Sequence, residues 1–233
     1  MSGSHRLGAI GGPYGVLLGT FLLSLFVSAL QIMPASVLTL IMDDIGIGPT
    51  QASWLVSLTL LSPAVMALPV GLTLDRFDNR VVLLAGTTLV VASGVWSWQT
   101  ALDGAYVQLT LSRLLMGIGI AMTWTAGATI VSAAFAGGRA ATATGIYTAS
   151  APLGYVVGQA VPPFVSGYAS WESNFLLFGA ATGASFVLFA VAGYRTASVA
   201  EAGETPRLSD FRHVFTHRGV WVVALMSFVA YSL

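Results

Sequence analysis

Long apolar runs, interrupted by arginines, aspartates and turn residues, organise this chain. Six of them cover residues 14–42, 52–74, 81–100, 106–134, 142–165 and 175–194. Each supplies the roughly 20 residues a helix needs to cross a hydrocarbon core of about 30 Å. A seventh run, 219–233, reaches only ~22 Å at about 1.5 Å per residue and reads as a span cut off in its middle. The uncharged stretch from Leu7 to Met42 is far longer than the 7–15 residues of a signal-peptide core, so it reads as a retained first span. The predicted architecture is an all-α membrane protein: a six-helix transmembrane bundle over 1–195, a polar linker over 196–218, and the start of a seventh helix over 219–233.

Composition agrees with this pattern. Of 233 residues 56% are apolar and 8% charged, against about 25% charged in soluble domains. The nine basic residues are all arginines and are balanced by nine acids, so no basic surface points to nucleic acid. The chain has no cysteine, which excludes disulfides, thiolate metal sites and cysteine nucleophiles. With the N-terminus in the cytoplasm, Arg6, Arg76, Arg80, Arg139, Arg195, Arg207, Arg212 and Arg218 all fall inside. The outer loops then hold Asp43, Asp44, Asp103 and Glu172. This asymmetry orients the chain as a multi-pass protein of the cell membrane.

The first three spans start near residues 14, 52 and 81, the next three near 106, 142 and 175, an offset of about 90 residues each time. Three crossings reverse the chain, so the predicted arrangement is a 3+3 inverted repeat.

Several positions could carry chemistry. In the turn after the second span, Gly71-Leu-Thr-Leu-Asp75-Arg76-Phe-Asp78-Asn79-Arg80, Asp75 is poorly placed against its own helix dipole and should seek a cation or another helix's N-terminus. A plain solvated turn would also suit these residues. Arg113 is the sole charge inside a span and shares a helix face with Gly117, Ile120 and Trp124. It either anchors the outer helix end against Asp43, Asp44 or Asp103, or serves substrate or proton handling. Ser24, Ser28 and Gln31 form a polar stripe before Pro34. They line a cavity or bond a neighbouring helix. Trp54, Trp96, Trp98 and Trp171 lie near span ends as interface anchors, and Trp124 lies deeper.

The turn at Gly71, Asp75, Arg76 and Arg80 resembles the signature loop of the major facilitator superfamily, Gly-x-x-x-Asp-Arg/Lys-x-Gly-x-Arg. Asp78 stands at the family's second glycine, which predicts a turn less tolerant of positive φ. Arg113-Leu-Leu-Met-Gly117 is similar to the family's helix-four motif. Gly145, Gly154 and Gly158 have the spacing of its antiporter motif, with Gln159 and Pro162-Pro163 departing from it. Close helix packing is sufficient to explain Gly154 and Gly158 and is the preferred reading. The resemblance implies that Asp75 and its arginines latch the cytoplasmic side. It also implies a C-terminal six-helix half beyond this chain and a small-molecule solute moved by alternating access. On that expectation the face carrying Ser24, Gln31, Arg113 and Trp124 stands open to lipid in this chain alone.

No cofactor is implied, and Gly-x₄-Gly-Lys is absent. An intramembrane enzyme is disfavoured because His5, His213 and His217 lie outside the spans and no span interior holds Asp or Glu. The expectation is a secondary transporter, proton-coupled, for an anionic or neutral solute, with drug/proton antiport, a channel or a membrane scaffold as alternatives.

Overall fold

Proline opens two of the helices and glycine closes a third. A computed structural model describes residues 12–135 and 137–193. Its helices are α1 (Pro13–Ser36), the short α2 (Leu38–Ile45), α3 (Pro49–Leu74), α4 (Asn79–Leu102), α5 (Tyr106–Ala134), α6 (Ala140–Tyr168) and α7 (Ser173–Gly193). Pro13 and Pro49 open α1 and α3, where a missing N–H is no loss. Gly46 closes α2 in the left-handed region (φ 73°) and donates to the Met42 carbonyl.

The first apolar run continues to residue 42, but the helix does not. It stops at Ser36, Val37 leaves helical geometry (φ −121°, ψ 22°), and the chain restarts as α2. Pro34 lies one turn before the break and cannot donate to the Leu30 carbonyl. Hydropathy does not register this because no charge interrupts the run across the bend.

Asp78 is the second departure. Its φ is −55°, and among the described residues only Gly46 and Gly104 have positive φ. Asp78 is instead the N-cap of α4, its carboxylate accepting from the Arg80 N–H at 2.8 Å. A side chain here supplies a cap that glycine lacks.

Helix α1 is central. Val16, Val27, Leu30 and Met33 on it are fully buried, and it packs most extensively on α6 and α7. In the same way α5 packs on α4 and α3, while α4 meets α7 and α1 meets α5. Outward faces carry exposed Leu61, Val65, Leu68, Phe164 and Val191, the surface a helix shows to lipid.

Among the described residues five helices, α1, α3, α4, α5 and most of α7, are long and apolar enough to cross a membrane. The protein is a multi-pass membrane protein. Helix α6 is as long as α5 but is diluted by glycine, threonine, serine and three internal prolines. The predicted linker over 196–218, the run over 219–233, the three histidines, and Arg6, Arg195, Arg207, Arg212 and Arg218 lie outside the described residues.

Candidate functional site

Arg113 marks the centre of the polar interior. It projects from α5, is 0% exposed, and finds all its partners on other helices except one. Its Nε–H donates to Thr59 Oγ1 at 3.1 Å and, at 3.5 Å, to the Leu55 carbonyl. Nη1 and Nη2 each donate to the Leu30 carbonyl at 3.3 Å, and Nη2 also to the Gln31 carbonyl at 2.5 Å. The exception is Met116 Sδ, 3.0 Å from Nη1. The Phe175 ring of α7 lies 5.6 Å away, within cation–π range.

Among the described residues every hydrogen-bond partner of Arg113 is a neutral acceptor. The charge is held by carbonyl dipoles close to the C-terminal end of α1, where the helix field favours a cation. The expected outer partners are not used: Asp44 accepts instead from Trp171 Nε1 at 3.1 Å. Trp171 is accordingly buried at 6% exposure and is no interface anchor.

Gln31 is the second hub. Its backbone carbonyl takes Arg113, its Nε2 donates to the Thr59 carbonyl at 3.1 Å, and its Oε1 accepts from the Tyr155 hydroxyl at 3.1 Å. One residue of α1 thus ties together α3, α5 and α6. Thr59 closes the circuit by donating to the Leu55 carbonyl. Buried in an apolar bundle, such bonds are costly to leave unmade.

The other predicted residues take simpler places. Ser28 is buried and donates to the Ser24 carbonyl at 2.7 Å, and Ser24 is 2% exposed. The polar stripe therefore faces neighbouring helices. With Gln31 and Arg113 equally buried, that part of the face expected to stand open is closed over. Gly117 leaves room for α3: a Cβ built there would lie 2.8 Å from Ser62 Oγ. Trp124 is half-buried. Its Nε1 has no hydrogen-bond partner among the described residues, while its carbonyl accepts from the Tyr147 hydroxyl at 3.0 Å.

In the α3–α4 turn Asp75 is the half-buried C-cap of α3, Gly71 and Arg80 are half-buried, and Arg76 is exposed. Of the α6 glycines, Gly145 is exposed with open space beside it. Gly154 and Gly158 are buried against the backbone of α1.

Thr59 and Tyr155 escaped the sequence reading. The signal for Thr59 was present in Pro63, which frees the carbonyl four residues earlier. Tyr155 has no local signal, since only the tertiary fold brings α6 to Gln31.

Residues 16–233 match the Major Facilitator Superfamily. The chain is also 28% identical over 149 residues to the major facilitator superfamily multidrug transporter mfsC of Aspergillus fumigatus. That match covers 64% of this chain and 28% of the relative's length.

Proposed function

The chain belongs to the major facilitator superfamily, and from that premise we propose that it forms one six-helix half of a secondary active transporter. The solute is a small molecule, and the mechanism is alternating access against a second six-helix bundle. The observation that carries this reading is the family match over nearly the whole chain. The reading is transport and not catalysis, and it assigns no cofactor.

Within that reading α6 is the fifth span, despite its lower hydropathy, and the six spans form a 3+3 inverted repeat. The packing supports it: α1 meets α6 and α7 as α5 meets α3 and α4, which is the exchange the repeat demands. The arginine-rich turns face the cytoplasm and the protein resides in the cell membrane. Asp75, with Arg76 and Arg80, acts as a conformational latch at the cytoplasmic rim.

Arg113 supplies the positive potential of the bundle interior. Because its donors are spent on neutral acceptors of α1, α3 and α5, it acts by holding these helices in register, and it favours anionic or neutral solutes over cations. A second reading, export of drugs against a proton gradient, is favoured by the likeness to a multidrug transporter.

The test is uptake into proteoliposomes carrying this chain together with its companion bundle, under an imposed proton gradient, across a panel of anionic, neutral and cationic solutes. Saturable, gradient-driven flux of an anionic or neutral solute is expected, and the chain alone should be inactive. Flux confined to cationic drugs would move the assignment to the second reading. Saturable flux by the chain alone would overturn the half-transporter assignment.

A further inference from the structure

An α-helix pairs each C=O with the N–H four residues on, so a proline at that fourth position leaves the carbonyl without its partner. Three prolines inside these helices are buried or half-buried: Pro34 in α1, Pro63 in α3 and Pro162 in α6. The carbonyls they vacate belong to Leu30, Thr59 and Gly158. Each of the three receives a side-chain donor from a different helix. Arg113 of α5 reaches Leu30 with both terminal nitrogens at 3.3 Å. Gln31 of α1 reaches Thr59 at 3.1 Å, and Ser36 of α1 shares its one hydroxyl proton between the Met33 carbonyl of its own helix at 2.8 Å and Gly158 at 3.3 Å. The other internal prolines, Pro69, Pro152 and Pro163, are exposed.

We propose that Pro34 is the positioning residue for Arg113, and that Pro63 and Pro162 play the same part for Gln31 and Ser36. In each pair the proline creates the acceptor and the neighbouring helix supplies the donor, so a helix bend and an interhelical bond form as one unit. The guanidinium then has a defined anchor on α1, with no carboxylate among its partners in the described residues. The bend at the end of α1 is held from outside by α5, not by its own ladder. Because Gln31 follows Leu30 directly, the Arg113 and Gln31 units share one turn of α1, and a shift in either moves the other. This inference concerns the architecture of the bundle and stands apart from the transport assignment.

Carbonyl carbon chemical shifts test it. Leu-Gln and Gly-Gln each occur once in the chain, at residues 30–31 and 158–159. Labelling leucine and glycine at the carbonyl carbon and glutamine at nitrogen therefore isolates the Leu30 and Gly158 carbonyls by solid-state NMR in lipid bilayers. Arg113→Met should move the Leu30 signal upfield beyond its linewidth, as a bond to a cation is lost. Pro34→Ala combined with Arg113→Met should bring it back toward its wild-type position, because the introduced alanine supplies the backbone N–H that proline lacks and fills the acceptor. In Arg113→Met, which leaves Pro34 and Ser36 in place, the Gly158 signal should not move and reports that the bundle is intact. An unmoved Leu30 signal in Arg113→Met, or no return in the double variant, would overturn the proposal. Should Arg113→Met fail to fold, recovery of folded protein in the double variant supports the pairing, and failure of both refutes it.

Discussion

A methyl group added at Gly154 or Gly158 should force α6 away from α1, whereas the same methyl at Gly145 should be harmless. All three glycines lie on one helix at the spacing of a single motif, so the comparison carries its own control. A Cβ built on Gly158 would sit 2.7 Å from Ile32 Cγ2 and 2.8 Å from the Ala29 Cα; one on Gly154 would sit 2.7 Å from Ser28 Cβ. Ordinary carbon contacts are about 3.5–4.0 Å, so the seam must open by roughly 1 Å. The obstacle is largely backbone, which cannot swing aside as a side chain can. Overpacking of this kind costs about 1–3 kcal/mol. Replacing a mid-helix glycine by alanine returns up to about 1 kcal/mol of helix propensity. The net expectation is a loss of about 1–2 kcal/mol for Gly154→Ala and for Gly158→Ala, with Gly145→Ala neutral or slightly stabilising. Denaturant titration in mild detergent micelles, followed by tryptophan fluorescence, reads these differences directly. If all three variants are equally stable, the close α1–α6 approach is wrong.

Gln31→Leu should destabilise by about 1–3 kcal/mol, because the Thr59 carbonyl loses its donor where Pro63 offers no replacement. The same titration checks it, and an unchanged midpoint would count against the hub. Asp78→Ala should cost roughly 1 kcal/mol as the cap of α4 is lost, while Asp78→Gly should cost only a few tenths; thermal unfolding ranks the two. In the chain paired with a second six-helix bundle and carrying a single cysteine introduced in a cytoplasmic-side cleft position, Asp75→Asn should raise labelling from the cytoplasm and slow turnover. A severalfold change of solute affinity in a conformationally locked protein would remove Asp75 from the latch and place it at the solute.

The helices were readable in the sequence because a run of some 20 apolar residues in a nearly uncharged chain has few other uses. Their interruption after Ser36 was not read, since no charge breaks the run around Val37 and Pro34 was the one sign of the bend. Arg113 stood out as the one charge within a span, but sequence spacing could not say which way it turned. The decision between carboxylates and carbonyls depends on α1 and α3 lying beside α5. Asp78 was misjudged for a physical reason: the glycine it replaces suggested positive φ, while the structure uses the aspartate as a cap. Thr59 became visible only when Pro63 was read as a missing donor as well as a helix bend. Tyr155 reaches Gln31 across 124 positions of sequence, a distance no local pattern spans.

The transporter assignment itself meets its most direct trial in entrance counterflow. Proteoliposomes holding the chain with its companion bundle are loaded with unlabelled solute and diluted into labelled solute. A carrier working by alternating access must show a transient overshoot of labelled solute that saturates with concentration and needs no imposed gradient. A flux that rises linearly and never overshoots would contradict alternating access and leave a channel, and no flux for any solute tested would leave a membrane scaffold.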